Sequence, residues 1–316
     1  MVLCAIAYYL FMKTPRKLPS TLYKYMAVER STFFDDWLIR FTQPRALNDP
    51  FEMRPYINGY GNPEEMLDIA ARNWEKWAHE QYDSYNSNHK GHGDVMQFDI
   101  FRAKLEPKRA EMMQEALLRA PEYNHSMAAR IEEMMNKGVG VLSLCEHADI
   151  GLMWSHYGES HSGFVVEFDA RSPFFHQVTP PEHVNASSED AAAFAEEFGY
   201  LRPINYQEQR PSVVVTEMPF DTIMTKGKAW EYECEWRLLM PPDYADVTKQ
   251  DIKGFPLCLF KVPPNSIKAI LLGCNADDDL LKKTLTLRER PESKHIRIEK
   301  ARIDEREFRL HFETVQ

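Results

Sequence analysis

Cysteine is scarce in this sequence and is not arranged for a structural role. The 316 residues contain five cysteines, an odd number, and no two of them form a CxxC pair. Disulfide frameworks and zinc ribbons both depend on paired cysteines. We therefore expect reduced thiols and predict a cytoplasmic location.

The sequence also lacks an excess of basic residues and long apolar runs. The formal net charge is -10, which weighs against broad binding to nucleic acid or to an anionic membrane. The apolar run Met1 to Met12 is too short to span a bilayer. We predict no membrane partner and no strong nucleic-acid partner, and we expect residues 1–21 to form a peripheral extension, with Met12 as an alternative start.

Several motifs of common enzymes are missing. Neither GxxxxGKT nor GxGxxG occurs between a strand and a helix, which argues against ATP-dependent transfer and the dinucleotide-binding fold. No GxSxG elbow is present to support nucleophilic hydrolysis. Cys145, His147, His156 and His161 lie close in sequence, but their spacing matches no structural zinc pattern, so we predict no metal.

The stretch from Gly138 to Asp169 carries the densest cluster of chemically capable side chains. Residues 139–144 and 164–168 are short apolar runs typical of strands. Between them, Asp149 is expected to cap a short helix that Gly158 closes. Reactive groups are therefore predicted at strand ends and loops.

The preceding part of the chain predicts strands at 22–27 and 38–42 and a helix at 32–38. In the following DPFE motif, Asp49 fits an N-cap, Pro50 the first helical position and Glu52 the third, as in a capping box. The same loop, which presents Asn48, Asp49 and Glu52, is equally suited to hold a ligand.

The remaining pattern predicts an α+β fold with a mixed, mainly antiparallel sheet, in one piece or split. Residues 22–316 are expected to form one domain, with a helical insertion at about 62–137. This insertion is expected to contain helices on both sides of a polar linker at residues 82–94 and a break before Pro121. Residues 230–240 alternate as in a half-buried strand, which places Glu233, Glu235 and Arg237 on one face. Strands and one helix follow to the C-terminus.

These elements predict a polar cleft. Its candidate residues combine carboxylates, a permanent cation, aromatic rings and imidazoles, namely Glu235, Glu233, Glu52, Arg237, Tyr25, Trp154, Tyr157, His156 and His161. Arginine binds phosphate and aromatic faces stack on bases, so a nucleotide-like small molecule is one candidate ligand. Alternatively, Glu235 and Arg237 form a surface ion pair and Trp154 belongs to the core.

Four motifs carry a family resemblance. LYKY, QPRALNDPFE, LMWSHYGESHSGFVVEFD and WEYECEWR, in this order over Leu22 to Leu239, resemble a widespread bacterial family catalogued as domain-of-unknown-function family 2971. That family name implies no reaction.

A weaker resemblance is to the layout of the ADP-ribosyltransferases. It implies NAD as co-substrate, a macromolecular acceptor, Lys24 as the basic residue of the first strand, Tyr25 or Thr42 in the middle motif, and Glu235 as the catalytic carboxylate. The sequence has lysine where histidine or arginine is usual. Two hypotheses result: an ADP-ribosyltransferase-like enzyme, as in toxins or defence effectors, and a non-catalytic module that binds a nucleotide or a protein.

Overall fold

The computed structural model describes residues 16–59, 63–88, 96–177, 179–181, 184, 187–215, 220–250 and 256–315. The apolar run at Met1 to Met12 lies outside these residues. The chain divides into two compact units, the first formed by Met1–Met53, Met134–Gln209 and Ile223–Gln316 and the second by Arg54–Glu133 and Arg210–Thr222.

Strands and helices alternate irregularly along the chain. The strands are β1 (Thr21–Met26), β2 (Leu38–Phe41), β3 (Tyr56–Gly59), β4 (Gly140–Cys145), β5 (Phe164–Asp169), β6 (Leu201–Pro203), β7 (Asn205–Gln207), β8 (Ser212–Val214), β9 (Thr225–Gly227), β10 (Glu235–Met240), β11 (Val247–Gln250), β12 (Pro256–Lys261), β13 (Ile267–Leu272), β14 (Arg297–Ile303) and β15 (Leu310–Thr314). The α-helices are α1 (Phe33–Asp36), α2 (Pro63–Asn88), α3 (Phe98–Gly138), α4 (Gly151–Tyr157), α5 (Ser188–Glu197) and α6 (Asp278–Leu285).

The first unit is built on an eight-stranded sheet in the order β15-β14-β13-β5-β1-β4-β10-β6. Its neighbouring strands are antiparallel except for the parallel pair β13 and β14. An antiparallel sheet β11-β12-β2 and a parallel pair β7-β9 complete the unit. The predicted α+β class with a mixed, mainly antiparallel sheet is confirmed.

The large sheet opens between β1 and β4. These two strands share only the residue pair Tyr23 and Cys145. Further along β4, Val141 instead forms a bridge with Thr42, directly after β2. The change of partner leaves a cleft between β1 and β4, and the candidate site lies there.

The main hydrophobic core lies on one face of the sheet. Trp236, Leu238 and Met240 of β10 point into it, packed with aromatic residues such as Phe34 and Phe164, whose ring centroids are 4.7 Å apart. Each such side chain contributes about 1.5–3 kcal/mol on full burial. Because strand side chains alternate, the polar residues of β10 point away from this core.

The second unit contains the parallel pair β3-β8, all of α2 and most of α3. Two sequence predictions are wrong here. The linker predicted from Tyr82 begins inside α2, which continues to Asn88, and α3 runs through Pro121 without a break. A proline removes one helical hydrogen bond, and the remaining bonds of a long helix keep it intact.

Other local predictions are also corrected. No helix follows Asp49, whose side chain accepts a hydrogen bond from the Phe51 N–H in a turn, so the capping box does not form. Ile150, without a side-chain bond, takes the N-cap position of α4 that Asp149 was expected to fill, whereas Gly158 closes the helix as predicted. Among the described helices, none combines the length and the apolar character that a bilayer crossing requires.

Candidate functional site

Five charged side chains are buried together beside the opening of the sheet. Each is no more than 5% exposed. We refer to them as the charge cluster, which consists of Glu52, Lys226, Glu233, Glu235 and Arg237. Buried charges are stable only when they are paired, so the three carboxylates and two cations form one network.

Lys226 lies at the centre of the cluster. Its Nζ donates to Glu233 Oε2 at 2.5 Å and to Glu235 Oε2 at 3.2 Å, and it lies 3.7 Å from Glu52 Oε2. Burial lowers the pKa of Lys226, but Glu235 and Glu233 outweigh this effect and raise the pKa above its ordinary value. Lys226 is therefore a permanent cation at neutral pH.

Arg237 holds the carboxylate of Glu235 from behind. Its Nε donates to Glu235 Oε1 at 2.7 Å and its Nη2 to Glu235 Oε2 at 3.0 Å, and it also pairs with Glu52. Burial lowers the pKa of Arg237 to about 9. Burial raises the pKa of Glu235, and the charge of Lys226 opposes this increase.

The backbone brings the two neighbouring glutamates to the same lysine. Glu235 and Arg237 lie on one face of β10, as the alternation predicts. The predicted strand over 230–240 is wrong in its first half, because residues 228–233 form a 3-10 helix that ends at Cys234. Cys234 adopts the left-handed conformation, with φ 45°, which most side chains disfavour. Glu233 still reaches the cluster, from the helix rather than from the strand.

Lys24 and Ser143 meet across the opening of the sheet. Lys24 Nζ donates to the Ser143 carbonyl oxygen at 3.0 Å, and the Ser143 hydroxyl group bonds to Glu235. Burial lowers the pKa of Lys24 to about 8, although Glu235 and Glu233 oppose the shift. Lys24 therefore links β1 to the charge cluster.

Tyr157 connects α4 to the cluster. Its hydroxyl group donates to Glu233 Oε1 at 2.7 Å and accepts from Asn48 Nδ2 at 2.8 Å. Burial raises the pKa of Tyr157, and the charge of Glu233 raises it further. Tyr157 is therefore neutral at physiological pH and acts as a hydrogen-bond donor.

A cavity of about 230 Å³ lies at this meeting point, and we call it the carboxylate cavity. Its polar lining includes Lys24, Asn48, Tyr157, Lys226, Glu233 and Glu235. These groups can donate and accept hydrogen bonds and can stabilise a positive centre. The arrangement is therefore suited to a hydroxylated or cationic ligand.

The structure brings many of the residues predicted for the site together. Glu235, Lys24, Tyr25, Asn48, Glu52 and Tyr157 line the carboxylate cavity. Arg237 lies behind it, in contact with Glu235 and Glu52. Asp49 is buried in its turn, and the Tyr25 hydroxyl group donates to the His147 carbonyl oxygen at 2.8 Å.

Besides Arg237 and Asp49, three predicted residues are not among the described residues that line the cavity. Trp154 belongs to a smaller core cluster, and its Nε1 donates to the Ala148 carbonyl oxygen at 2.7 Å. His161 stacks on Trp154 with ring centroids 6.1 Å apart. His156 is exposed on α4.

Sequence reasoning missed Lys226, Ser143 and Tyr206. The Tyr206 hydroxyl oxygen accepts a hydrogen bond from the Glu235 N–H at 2.8 Å, which fixes the start of β10. Lys226 lies in an unremarkable segment, TKGKAW, and nothing local distinguishes it from a surface lysine. Its role depends on contacts that the sheet pairing creates.

The family comparison matches the later part of this site. The model of the family described as Protein of unknown function (DUF2971) matches residues 153–238, and this confirms the family resemblance predicted from the motifs. The matched stretch contains Tyr157, Lys226, Glu233, Glu235 and Arg237. No curated protein and no solved structure matches the chain. The ADP-ribosyltransferase resemblance has no support from these comparisons.

Proposed function

We propose that this protein binds a sugar-bearing small molecule of the nucleotide class, with a sugar or a single ring in the carboxylate cavity. One observation carries the proposal: Lys24, Tyr157, Lys226, Glu233 and Glu235 converge on one cavity from separate elements of the first unit. Desolvating five such groups is unfavourable for folding. A function in binding a polar ligand, which forms hydrogen bonds with these groups, accounts for their burial at one cavity.

The volume and charge of the cavity limit the ligand. About 230 Å³ is below the usual range of roughly 300–1,000 Å³ for small-molecule sites, so the cavity suits a part of a nucleotide. Each carboxylate has about four lone-pair positions, so Glu233 can accept a ligand hydroxyl group in addition to Tyr157 and Lys226. Ribose hydroxyl groups have this chemistry.

Calorimetric titration tests the binding proposal. We expect saturable binding of at least one of NAD, ADP-ribose and AMP to the wild-type protein. Tyr157→Phe removes a hydroxyl group that orients Glu233, so it should weaken binding about 5–10-fold. Tyr82→Phe is the matched control, because the Tyr82 hydroxyl group donates to the Met96 carbonyl oxygen in the second unit. Folded protein that binds none of the three compounds contradicts the proposal.

A second candidate function is glycosyl transfer from NAD, with Glu235 as the catalytic carboxylate. The observation that favours it is the pair Glu233 and Glu235 beside one lysine, where burial raises the pKa of Glu235. The bond between the ribose C1′ and the nicotinamide nitrogen would break, and its electron pair would leave with nicotinamide. The carboxylate would stabilise the ribosyl cation until an acceptor hydroxyl group or water adds and releases a proton.

Nicotinamide release, followed by chromatography with a cell lysate as acceptor, tests this reaction. Glu235→Gln should reduce release about 100-fold or more, because the charge that stabilises the cation is lost. Glu231→Gln, at an exposed position on the neighbouring 3-10 helix, should retain release. Circular dichroism confirms folding, and Glu233→Gln provides a second test if Glu235→Gln unfolds. If the wild-type protein binds NAD but releases no nicotinamide, glycosyl transfer is excluded and only the binding function remains.

A further inference from the structure

A second cavity lies on the outer face of the three-stranded sheet. In the sheet of β2, β12 and β11, strands β2 and β12 place Ile39, Phe41 and Phe260 in the main core. On the opposite face, Arg40 pairs with Leu259 and Lys249 pairs with Leu257. These four residues line a cavity of about 340 Å³, which we call the basic cavity.

Four cations surround the basic cavity. They come from β1, the following 3-10 helix, β2 and β11, and they are Lys24, Arg30, Arg40 and Lys249. Among the described lining residues, the only carboxylate is that of Asp36, and its Oδ1 already accepts from the Leu38 N–H at 2.9 Å. This concave region is therefore positive on a protein whose formal net charge is -10.

Like charges around a concave surface repel one another, and an anion between them removes this repulsion. At Lys24, burial lowers the pKa, Glu235 and Glu233 oppose this shift, and the charge of Arg30, which also lines the basic cavity, lowers the pKa further. Arginine binds phosphate through a planar fork and lysine binds it as a compact charge. Phosphate groups match this set of side chains.

The remaining lining of the basic cavity is suited to a flat ring. Tyr25, Phe33, Leu38, Leu257 and Leu259 contribute aromatic and aliphatic surface. Small-molecule sites typically combine such surface with a few placed charges. The ligand is therefore expected to carry both a phosphate group and an aromatic ring.

The two cavities share residues. Lys24, Tyr25, Thr42, Ala46 and Tyr157 line both of them. We propose that the basic cavity binds the phosphate groups of a nucleotide-class small molecule. This inference rests on the proposed function, because the sugar of the same molecule occupies the carboxylate cavity.

Charge reversal at the rim of the basic cavity tests the assignment. In calorimetric titrations, Lys249→Glu should weaken ADP binding about 10-fold or more, because it replaces an attraction with a repulsion. The affinity for adenosine, which has no phosphate, should differ by no more than about 2-fold between the wild type and Lys249→Glu. Lys282→Glu is the matched control, because Lys282 is an exposed lysine on α6 outside the basic cavity. Higher salt should weaken ADP binding to the wild type more than adenosine binding.

Arg30→Glu is the second variant, and inorganic pyrophosphate is the second probe. If the ADP affinity is unchanged in both Lys249→Glu and Arg30→Glu, the inference about the basic cavity is wrong. The proposed function would still stand in that case, provided that nucleotides bind. Equal losses for ADP and adenosine also overturn it, because they indicate general damage. A third outcome is that the protein binds pyrophosphate, that Lys249→Glu weakens this binding, and that no sugar-bearing compound binds. This outcome would support phosphate binding in the basic cavity and would contradict the proposed function.

Discussion

Lys24 is the cationic residue that the two cavities share. It lines both, and its ammonium group bonds to the carbonyl oxygen of Ser143 on the facing strand. Glu235 and Glu233 of the charge cluster line the carboxylate cavity, and Arg30 lines the basic cavity. A small change at Lys24 is therefore expected to affect the sugar and phosphate ends of a ligand together.

The lowered pKa of Lys24 predicts how stability changes with pH. The pKa is about 8 in the folded protein and 10.5 as its ordinary value, so the unfolded chain holds more protons between these pH values. The contribution of Lys24 to the free energy of unfolding therefore rises from about pH 8 to about pH 10.5. In urea unfolding, the wild type should gain stability relative to Lys24→Met over this window. The charged groups that act on Lys24 are Glu235, Glu233, Arg30 and Lys226, and all four are present in the wild type and in Lys24→Met.

Lys282→Met is the control for this comparison, because Lys282 is an exposed lysine. Its free energy of unfolding should stay parallel to that of the wild type from pH 8 to pH 10.5. Parallel curves for Lys24→Met as well would mean that Lys24 keeps its ordinary pKa in the folded protein.

The charge cluster illustrates why buried ion pairs are poor evidence for stability. Moving the carboxylate of Glu52 and the guanidinium group of Arg237 out of water is unfavourable by several kcal/mol each, and pairing only offsets this. Apolar side chains of similar volume would often be as stable. The geometry that the pairs impose on Glu235 is the more specific consequence.

At the scale of elements, the segment after α4 is unusually constrained. Glu159, Ser160 and His161 all have positive φ values, of 50°, 53° and 68°. Each such residue costs about 1–2 kcal/mol relative to the ordinary conformation. Hydrogen bonds compensate for this strain, including those from the Asn275 N–H to the His161 carbonyl oxygen and from the Val28 N–H to Glu159 Oε2. The segment fixes the end of the helix that carries Tyr157.

Two glycine substitutions test how tightly this segment is held. A methyl group at Gly163 would overlap the Met26 carbonyl oxygen, so Gly163→Ala should lower the free energy of unfolding by about 1–3 kcal/mol. Gly151→Ala is the control in the same helix-loop unit, because its methyl group would meet open space. It should be neutral or stabilising by up to about 1 kcal/mol. Equal effects in chemical denaturation would show that the close approach at Gly163 is easily relieved.

At the scale of the whole molecule, the charge is distributed unevenly. The formal net charge of -10 makes nonspecific binding to polyanions unfavourable, whereas Lys24, Arg30, Arg40 and Lys249 surround one cavity. An anionic ligand is therefore attracted only at short range, within roughly a Debye length of about 8 Å at physiological salt. This combination favours a small phosphate-bearing molecule over a nucleic acid.

The fold class and many of the local elements could be predicted from the amino-acid sequence. Short apolar runs predicted β1, β4 and β5 and the later strands, because burial in a sheet imposes a local pattern on each strand. The family motifs were also visible, and the match over residues 153–238 confirms the resemblance. Glu235 and Arg237 were placed on one face by alternation alone.

The assembly of the site depends on contacts between elements and could not be predicted from the sequence. Lys24 and Glu52 reach Glu235 from distant parts of the chain, where β1 and β4 separate after one residue pair. Lys226 reaches Glu235 from β9, which is close in sequence but pairs with β7. No local pattern encodes such contacts, so Lys226 was missed. For Glu52 the sequence left two interpretations open, a helix cap, which does not form, and a place in the cleft, where Glu52 lies. Local preferences determine helices and strands, whereas the pairing of distant strands determines which charges become neighbours, and burial then determines their pKa values.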